Sequence, residues 1–283
     1  MNQKAYIKPS QISLSDYKLI IFDIDGTLVG SNHILDPFTR EVLLNLHNYG
    51  IPFTLATGKN LPATRALAEE LEIEMPMVLS NGSMVENRFG LVLAKFTLPE
   101  SVTRRVIKIC DRKHSNLVMY IDDYIIVKEM NVDIYQIYEP VAAEVIEVGS
   151  WEKVFNRIAD VNKCLVVEMI KYQNLIELEE IFRQEVGQFA DILFTSRHLL
   201  EVLPKGITKV TGIQKLIENM GITMKDVMVF GDYDNDVEML QQAGLGVVVA
   251  NGSEAARENA DLIIEACDEN GPAKFLDALI NKN

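Results

Sequence analysis

The chain has 283 residues, of which 48% are hydrophobic and 24% are charged, and its formal net charge is −14. This composition is typical of a folded globular protein rather than a disordered one, and the length is enough for roughly two domains. The excess of acidic residues argues against nucleic acid or an anionic membrane as the main partner, because both bind basic surfaces.

The first third of the chain alternates between strand and helix patterns. Short branched or aromatic runs predict strands at Lys18–Phe22, Pro52–Ala56 and Met77–Leu79. Helices are predicted between them, from Asp36-Pro37 to Gly50 and over Asn60–Leu71. This strand–helix order predicts a parallel, doubly wound sheet.

The middle of the chain mixes hairpins with helices. Strands are predicted at Leu91–Phe96, Leu117–Ile121, Tyr124–Lys128, Cys164–Ile170, Leu193–Thr195 and Leu199–Leu203. Helices are predicted at Pro99–Lys113 and Leu175–Val186. Asp122-Asp123 indicates a hairpin turn, whereas residues 141–156 fit no clear pattern. We therefore expect a separate α+β unit here.

The last third returns to alternating helices and strands. The helices are predicted at Thr208–Met220, Asp234–Gln242, Ser253–Asn259 and Pro272–Asn281, and the strands at Val227–Phe230, Gly246–Ala250 and Leu262–Ile264. We expect an α/β protein with a doubly wound, Rossmann-like parallel sheet core and an inserted α+β domain. The predicted core comprises residues 1–86 and 197–283, and the predicted insert comprises residues 87–196.

No signal peptide or membrane span is predicted, because residues 1–18 are polar and no apolar run approaches ~18 residues. Three widely spaced cysteines, Cys110, Cys164 and Cys267, lie among apolar neighbours. They predict small core residues in a reducing compartment, so we expect a cytoplasmic protein. The four histidines lack metal-ligand spacing and predict surface or loop positions: His33, His47, His114 and His198.

Two carboxylates, Asp23 and Asp25, come directly after the first strand, where α/β sheets hold their ligands. Gly26 lets the backbone turn sharply at this point. One carboxylate can attack and the other can move a proton, with a cation between their oxygens and a phosphate. An acidic turn without chemistry is the alternative interpretation.

Three further segments follow strands. Thr57-Gly58 offers a hydroxyl and a close backbone N–H to a phosphate, although an ordinary polar loop has the same pattern. Ahead of the amphipathic helix, Lys205 and Lys209 are either phosphate-binding or ordinary surface lysines. Asn81-Gly82 is either a turn or a loop that faces the ligand.

The loop from Asp232 to Asp236 carries three carboxylates and one amide, which suit a hard cation. Acidic caps of surface loops are the alternative. A calcium loop of the EF-hand type is excluded, because the twelfth position counted from Asp232 is Ala243, where that loop requires Glu.

The order of the motifs is more specific than any one of them. Phe22-Asp23-Ile24-Asp25-Gly26-Thr27-Leu28, Ala56-Thr57-Gly58, a lysine before a helix, and Gly231-Asp232-x-x-Asn235-Asp236 follow one another. This succession resembles the haloacid dehalogenase superfamily of phosphohydrolases. The long insert resembles the subclass with a large α/β cap, often called Cof-type.

The resemblance implies a role for each matching residue. Asp23 is the expected nucleophile and Asp25 the general acid and base, while Asp23, Asp232 and the Asp25 carbonyl are expected to bind Mg²⁺. The phosphate is expected to bind the residues Thr57, Gly58, Lys209 and Asn235. Supporting roles fall to Asp236, Asn81 and Gly82.

The resemblance implies a Mg²⁺-dependent phosphatase that acts on a small phosphorylated metabolite, such as a sugar phosphate or a nucleotide cofactor. A phosphomutase on the same scaffold and a non-catalytic binding module are the alternatives. We expect a monomer or weak homodimer. The sequence departs from the family pattern at Lys59, where Arg is usual, and at Val210, where Gly is usual, and the cap carries no matched substrate motif.

Overall fold

The computed structural model describes residues 12–31, 34–139, 143–170 and 172–282. They fall into two compact units, the first within residues 1–58, 64–93 and 208–283 and the second within 59–63 and 94–207. Strand Leu199–Pro204 pairs inside the second unit, whereas the sequence placed residues 197–207 with the core. The inserted domain with limits 87 and 196 stays a prediction.

The secondary structure follows the predicted order closely. The strands are β1 (Leu19–Phe22), β2 (Phe53–Leu55), β3 (Met77–Leu79), β4 (Met84–Glu86), β5 (Val92–Lys95), β6 (Asn116–Ile121), β7 (Tyr124–Val127), β8 (Val145–Glu147), β9 (Val161–Val167), β10 (Ala190–Ser196), β11 (Leu199–Pro204), β12 (Val227–Gly231), β13 (Leu245–Val249) and β14 (Leu262–Ile264). The α-helices are α1 (Pro37–Asn48), α2 (Leu61–Glu70), α3 (Glu100–Lys113), α4 (Val132–Tyr138), α5 (Tyr172–Glu185), α6 (Lys209–Glu218), α7 (Val237–Gln242), α8 (Glu254–Asn259) and α9 (Gly271–Ile280).

The first unit is built on a parallel sheet in the order β14-β13-β12-β1-β2. Its central strands are fully buried, which explains why they are continuous apolar runs rather than alternating ones. Phe22 of β1 and Phe230 of β12 stack with their ring centroids 4.8 Å apart. The α/β core with a parallel sheet is therefore confirmed.

The third predicted strand has a second partner that the sequence did not reveal. Val78 of β3 continues the parallel sheet through one bridge to Ala56. β3 also pairs with β4 in antiparallel fashion, in a three-stranded sheet ordered β3-β4-β5. β4 was not predicted from the sequence.

The second unit contains a six-stranded sheet in the order β10-β11-β9-β6-β7-β8, antiparallel except for the β7–β8 pair. Helices α3 and α5 cover one face with an apolar cluster that includes Val106 and Phe182. The other face packs against Ile134 of α4, a helix that the sequence missed. The predicted α+β character of the insert is confirmed.

Several smaller predictions also have an outcome. The stretch 141–156 fitted no pattern, and its described part forms β8 and the start of a 3-10 helix, Trp151–Asp160. All three cysteines are buried, as predicted. His33 lies outside the described residues. Among the helices that the structure describes, none is both long and apolar enough to cross a membrane.

Gly82 shows how tightly the first unit is packed at the end of β3. Its φ is +96°, and a Cβ there would lie 1.9 Å from the Thr208 carbonyl oxygen. Gly50 also has a positive φ, +69°, but a Cβ there would meet nothing within 4 Å. Substitution of Gly50 therefore reports the free-energy cost of backbone strain alone, whereas substitution of Gly82 reports strain and a clash together.

We predict that Gly82→Ala lowers the free energy of unfolding by about 3 kcal/mol or more, because backbone strain and a backbone clash act together. Gly50→Ala is the matched control and should lose about 1 kcal/mol from strain alone. Urea unfolding followed by circular dichroism measures both. Equal losses for the two variants would contradict the packing described here.

Candidate functional site

The predicted site residues lie at one edge of the first unit. Asp23 follows β1, Thr57 follows β2, Asn81 follows β3 and Asp232 follows β12. These strands run parallel, so their carboxyl ends meet at the same edge, where α/β sheets hold ligands. Lys209 begins helix α6 and reaches the same edge.

The centre of the site is the Lys209 ammonium between two carboxylates. Its Nζ donates to Asp23 Oδ1 at 2.6 Å and to Asp236 Oδ1 at 2.6 Å. The Lys209 side chain is only 1% exposed, and both carboxylates are buried. Burial of these charges is tolerable only because they are paired, and the pairing fixes their positions.

Asp236 also shapes the loop after β12. Its second oxygen, Oδ2, accepts from the backbone N–H groups of Asp232 at 3.0 Å and Tyr233 at 3.1 Å. A Cβ on Gly231 would lie 2.7 Å from Asp236 Cβ, so only glycine fits there. One carboxylate thus holds both the lysine and the turn that carries Asp232.

The turn after Asp25 packs directly against Asp232. Thr27 Oγ1 donates to Asp232 Oδ1 at 3.2 Å. Gly26 has a φ of +82°, and a Cβ there would lie 2.3 Å from Asp232 Oδ2. The small size and left-handed backbone of Gly26 therefore bring the first and last motifs together.

Among the described residues, Asp23, Asp232 and Asp236 form a group whose ligand oxygens lie within 4.8 Å of one another. The resemblance implied a supporting role for Asp236, and its carboxylate belongs to this group. The Asp25 side chain is exposed and lies outside it. Asp234 also lies outside and accepts from Ser253 Oγ at 2.7 Å.

The charges of this group are unbalanced, since one lysine faces three carboxylates. Burial raises the pKa of Asp23 well above its usual value; Lys209 opposes this, and Asp236 and Asp232 add to it. Burial and then the charge of Asp236 raise the pKa of Asp232 to about 6. For Lys209, burial lowers the pKa, but Asp23 and Asp236 outweigh it and raise the pKa overall. This oxygen-rich, electron-rich group fits a hard divalent cation.

The residues of the site that follow β2 and β3 carry no charge. Asn81 is buried and accepts from Asn235 Nδ2 at 2.9 Å. A Cβ on Gly58 would lie 3.3 Å from Asn81 Nδ2, and the Asn81 N–H donates to the Thr57 carbonyl at 3.0 Å. The structure therefore gathers Thr57, Gly58, Asn81 and Asn235, and a supporting role for Asn81-Gly82 stays a prediction.

Sequence reasoning missed the residue that braces the loop after Asp25. Asn251 Nδ2 donates to the Gly26 carbonyl at 2.9 Å, and Asn251 Oδ1 accepts from the Cys267 N–H at 2.8 Å. The sequence could have indicated this residue only through its position just after the carboxyl end of β13, where α/β sheets hold their ligands. Lys205, by contrast, donates from Nζ to Asp191 Oδ1 within the second unit at 2.6 Å.

Comparison with known proteins identifies the family. A sequence profile described as haloacid dehalogenase-like hydrolase matches residues 20–276. The chain belongs to the haloacid dehalogenase-like hydrolase family. The resemblance predicted from the order of the motifs is thereby confirmed.

Relatives of known structure or name cover nearly the whole chain. A haloacid dehalogenase-like hydrolase from Bacteroides thetaiotaomicron is 26% identical with a TM-score of 0.85, over 93% of this chain and 99% of that one. A sugar phosphatase of haloacid dehalogenase subclass IIB is 26% identical with a TM-score of 0.81, over 92% and 98%. The HMP-PP phosphatase of Yersinia pestis strain Pestoides F is 27% identical over 262 residues, 92% of this chain and 94% of that protein.

We predict that Asp232→Asn stabilises the metal-free protein at pH 7.5. A folded pKa of about 6 lies above the ordinary value of 3.8, so folding penalises the carboxylate above pH 6. The penalty is lost as the pH falls towards 4. The variant should gain about 3 kcal/mol at pH 7.5 and about half of that at pH 5.

Thermal or urea unfolding in a chelator measures this difference. Addition of a divalent cation is the control and should remove the advantage of Asp232→Asn, because the native carboxylate then has a counter-charge. If the chelated variant is no more stable than the parent at pH 7.5, the electrostatic description of the group is wrong.

Proposed function

We propose that this chain is a Mg²⁺-dependent phosphatase that hydrolyses small phosphorylated metabolites through an aspartyl-phosphate on Asp23. The observation that carries the proposal is the buried contact of Asp23 with Lys209, at the strand edge that also holds Asp232. The family and the phosphatases among its relatives support the same reaction class.

Asp23 is the proposed nucleophile. Lys209 holds Asp23 Oδ1, so the carboxylate has a fixed orientation towards an incoming phosphate. Attack of a carboxylate oxygen on phosphorus forms the aspartyl-phosphate and breaks the bond to the leaving oxygen. The mixed anhydride is then hydrolysed when water attacks phosphorus, which releases inorganic phosphate and restores the Asp23 carboxylate.

Asp25 is the proposed proton carrier for both steps. It protonates the leaving oxygen in the first step and takes a proton from the attacking water in the second. Its exposed side chain suits this role, because a proton carrier has to reach both the leaving group and water. Asn251 and Thr27 position the turn on which Asp25 lies.

The phosphoryl oxygens require donors that gain strength as negative charge develops. We assign this role to the Lys209 ammonium, the Thr57 hydroxyl, the Gly58 N–H and the Asn235 amide. Asn81 orients the Asn235 amide through the bond between their side chains. Val210 is buried in helix α6 beside Lys209, so this departure from the family pattern leaves the lysine in place.

Mg²⁺ fits the acidic group, since three carboxylates share one lysine there. We assign Asp23, Asp232 and the Asp25 carbonyl as its ligands, with Asp236 in support. When bound, Mg²⁺ supplies positive charge that offsets the repulsion between Asp23 and a phosphate dianion. Burial and the charge of Asp236 raise the pKa of Asp232 to about 6, and a bound divalent cation would offset both effects.

The substrate class is a sugar phosphate or a nucleotide cofactor, as inferred from the sequence and supported by a relative named as a sugar phosphatase. The phosphomutase alternative predicts phosphate release only with a bisphosphate activator. The binding-module alternative predicts no release from any compound in a broad panel. The cytoplasmic location and the monomer or weak homodimer stay predictions.

We predict that Asp23→Asn lowers the rate of phosphate release at least about 1,000-fold, because the amide is a poor nucleophile. The change is nearly isosteric, so the circular dichroism spectrum should not change. A panel of phosphorylated metabolites with colorimetric phosphate detection measures the rate.

Asp234→Asn is the matched control, since Asp234 lies in the same region of the fold but outside the acidic group. It should keep its activity within about threefold of the parent, as expected for a surface substitution. If the activity of Asp23→Asn is within tenfold of the parent, Asp23 is not the nucleophile.

We also predict that a chelator stops the reaction and that Mg²⁺ restores it. Asp232→Asn should raise the Mg²⁺ concentration for half-maximal activity by roughly tenfold or more, because a carboxylate ligand is lost. Asp234→Asn should need the same Mg²⁺ concentration as the parent. Full activity in excess chelator would count against the metal role.

A further inference from the structure

An uncharged apolar strip lies on the surface of the first unit at residues 89–93, the segment Phe89-Gly90-Leu91-Val92-Leu93. The exposed fractions are 72% for Phe89, 71% for Leu91, 46% for Val92 and 41% for Leu93. A single exposed leucine is ordinary, but four large exposed apolar side chains within five residues are a local concentration that often marks an interaction site.

The 89–93 strip is an ordered part of a hairpin. Asn87 Oδ1 accepts from the Phe89 N–H at 3.1 Å and from the Leu91 N–H at 3.0 Å, and the Asn87 N–H donates to the Leu91 carbonyl at 3.1 Å. Gly90 takes a φ of +84° to close the turn. The apolar side chains are therefore presented in a fixed arrangement.

The strip runs into an edge strand. In the order β3-β4-β5, strand β5 has β4 on one side and no further strand among the described residues on the other. Natural edges are commonly blocked by lysine, proline or a bulge, because an open edge pairs with other chains. Residues 89–93 carry neither charge nor proline.

We propose that this edge is the contact between two copies of the chain, which pair their β5 strands in antiparallel fashion about a two-fold axis at Val92. Val92 then lies opposite the partner's Val92, and Leu91 lies opposite the partner's Leu93. The same residues serve both sides, as a two-fold contact requires. Backbone hydrogen bonds between the edges add to the apolar contact.

The distribution of charge favours a second copy at this place. Two chains of net charge −14 repel, so they approach best where neither carries acidic side chains. The 89–93 strip has none, and the adjacent Arg88 guanidinium lies 4.9 Å from the Phe89 ring centroid. Contact through the strip therefore places no carboxylate of residues 89–93 against another copy.

The area predicts a weak dimer. With roughly 200 Å² for an aromatic and about 100 Å² for an aliphatic side chain, the exposed fractions amount to on the order of 300 Å² per copy. Two copies bury about twice that, below the roughly 1,200 Å² typical of stable interfaces. We expect a reversible dimer that forms at high micromolar concentration.

Sedimentation velocity of the full chain from about 1 to 500 µM tests the proposal over the range expected for so small an interface. The weight-average sedimentation coefficient should rise towards that of a dimer. Val92→Lys should raise the dissociation constant at least about tenfold, because it buries a charge at the axis. Ile170→Lys is the control, since Ile170 is exposed but lies outside the strip.

A cross-link tests the register. Residues opposite each other at the two-fold axis have Cα atoms about 5 Å apart, within the range of a disulfide. Val92→Cys should therefore give a covalent dimer with diamide, whereas Ile170→Cys should not. A monomer at every concentration would overturn the proposal. So would a dimer unaffected by Val92→Lys, or equal cross-linking of the two cysteine variants.

Discussion

The site depends on one buried ammonium that holds two carboxylates. Lys209 comes from the start of helix α6, Asp23 from the end of β1 and Asp236 from the loop after β12, and two contacts of 2.6 Å join them. Paired charges are tolerated in this buried position, but a single unpaired one is not, so each partner restricts the other two. The ion triad thus sets where the nucleophile lies and how the β12 loop turns.

The same triad leaves the site short of positive charge. Asp232 adds a third carboxylate, which burial and Asp236 hold at a raised pKa. Carboxylates with strongly raised pKa values are concentrated at functional sites. A hard cation, with a phosphate bound next to it, is the pair of ligands that balances these charges. The same set of carboxylates therefore lowers the stability of the metal-free protein and provides its affinity for the cation.

Much of this could be predicted from the sequence, because buried strands followed by polar residues mark ligand sites in α/β folds. Asp23, Thr57 and Asp232 were placed at this edge in this way, whereas Lys209 was preferred over Lys205 only through the resemblance to the family. Asp236 was expected to support the site, and it contacts both Lys209, 27 residues away, and the backbone of the loop after β12. Asn251 was assigned no role, because its partner Gly26 is 225 residues distant and spacing along the chain carries no signal of such contacts.

Asp23 takes up the phosphoryl group in the proposed reaction, and detection of the covalent intermediate is the most direct test of that role. Purified protein that is hydrolysing a phosphate ester in the presence of Mg²⁺ is quenched in acid and digested. The masses of the peptides are then measured by mass spectrometry. We predict one phosphoryl group on the peptide that contains Asp23, and none on that peptide in Asp23→Asn. A phosphoryl group on a different residue, or an active parent enzyme that never yields a modified Asp23 peptide in rapid-quench time courses, would contradict it.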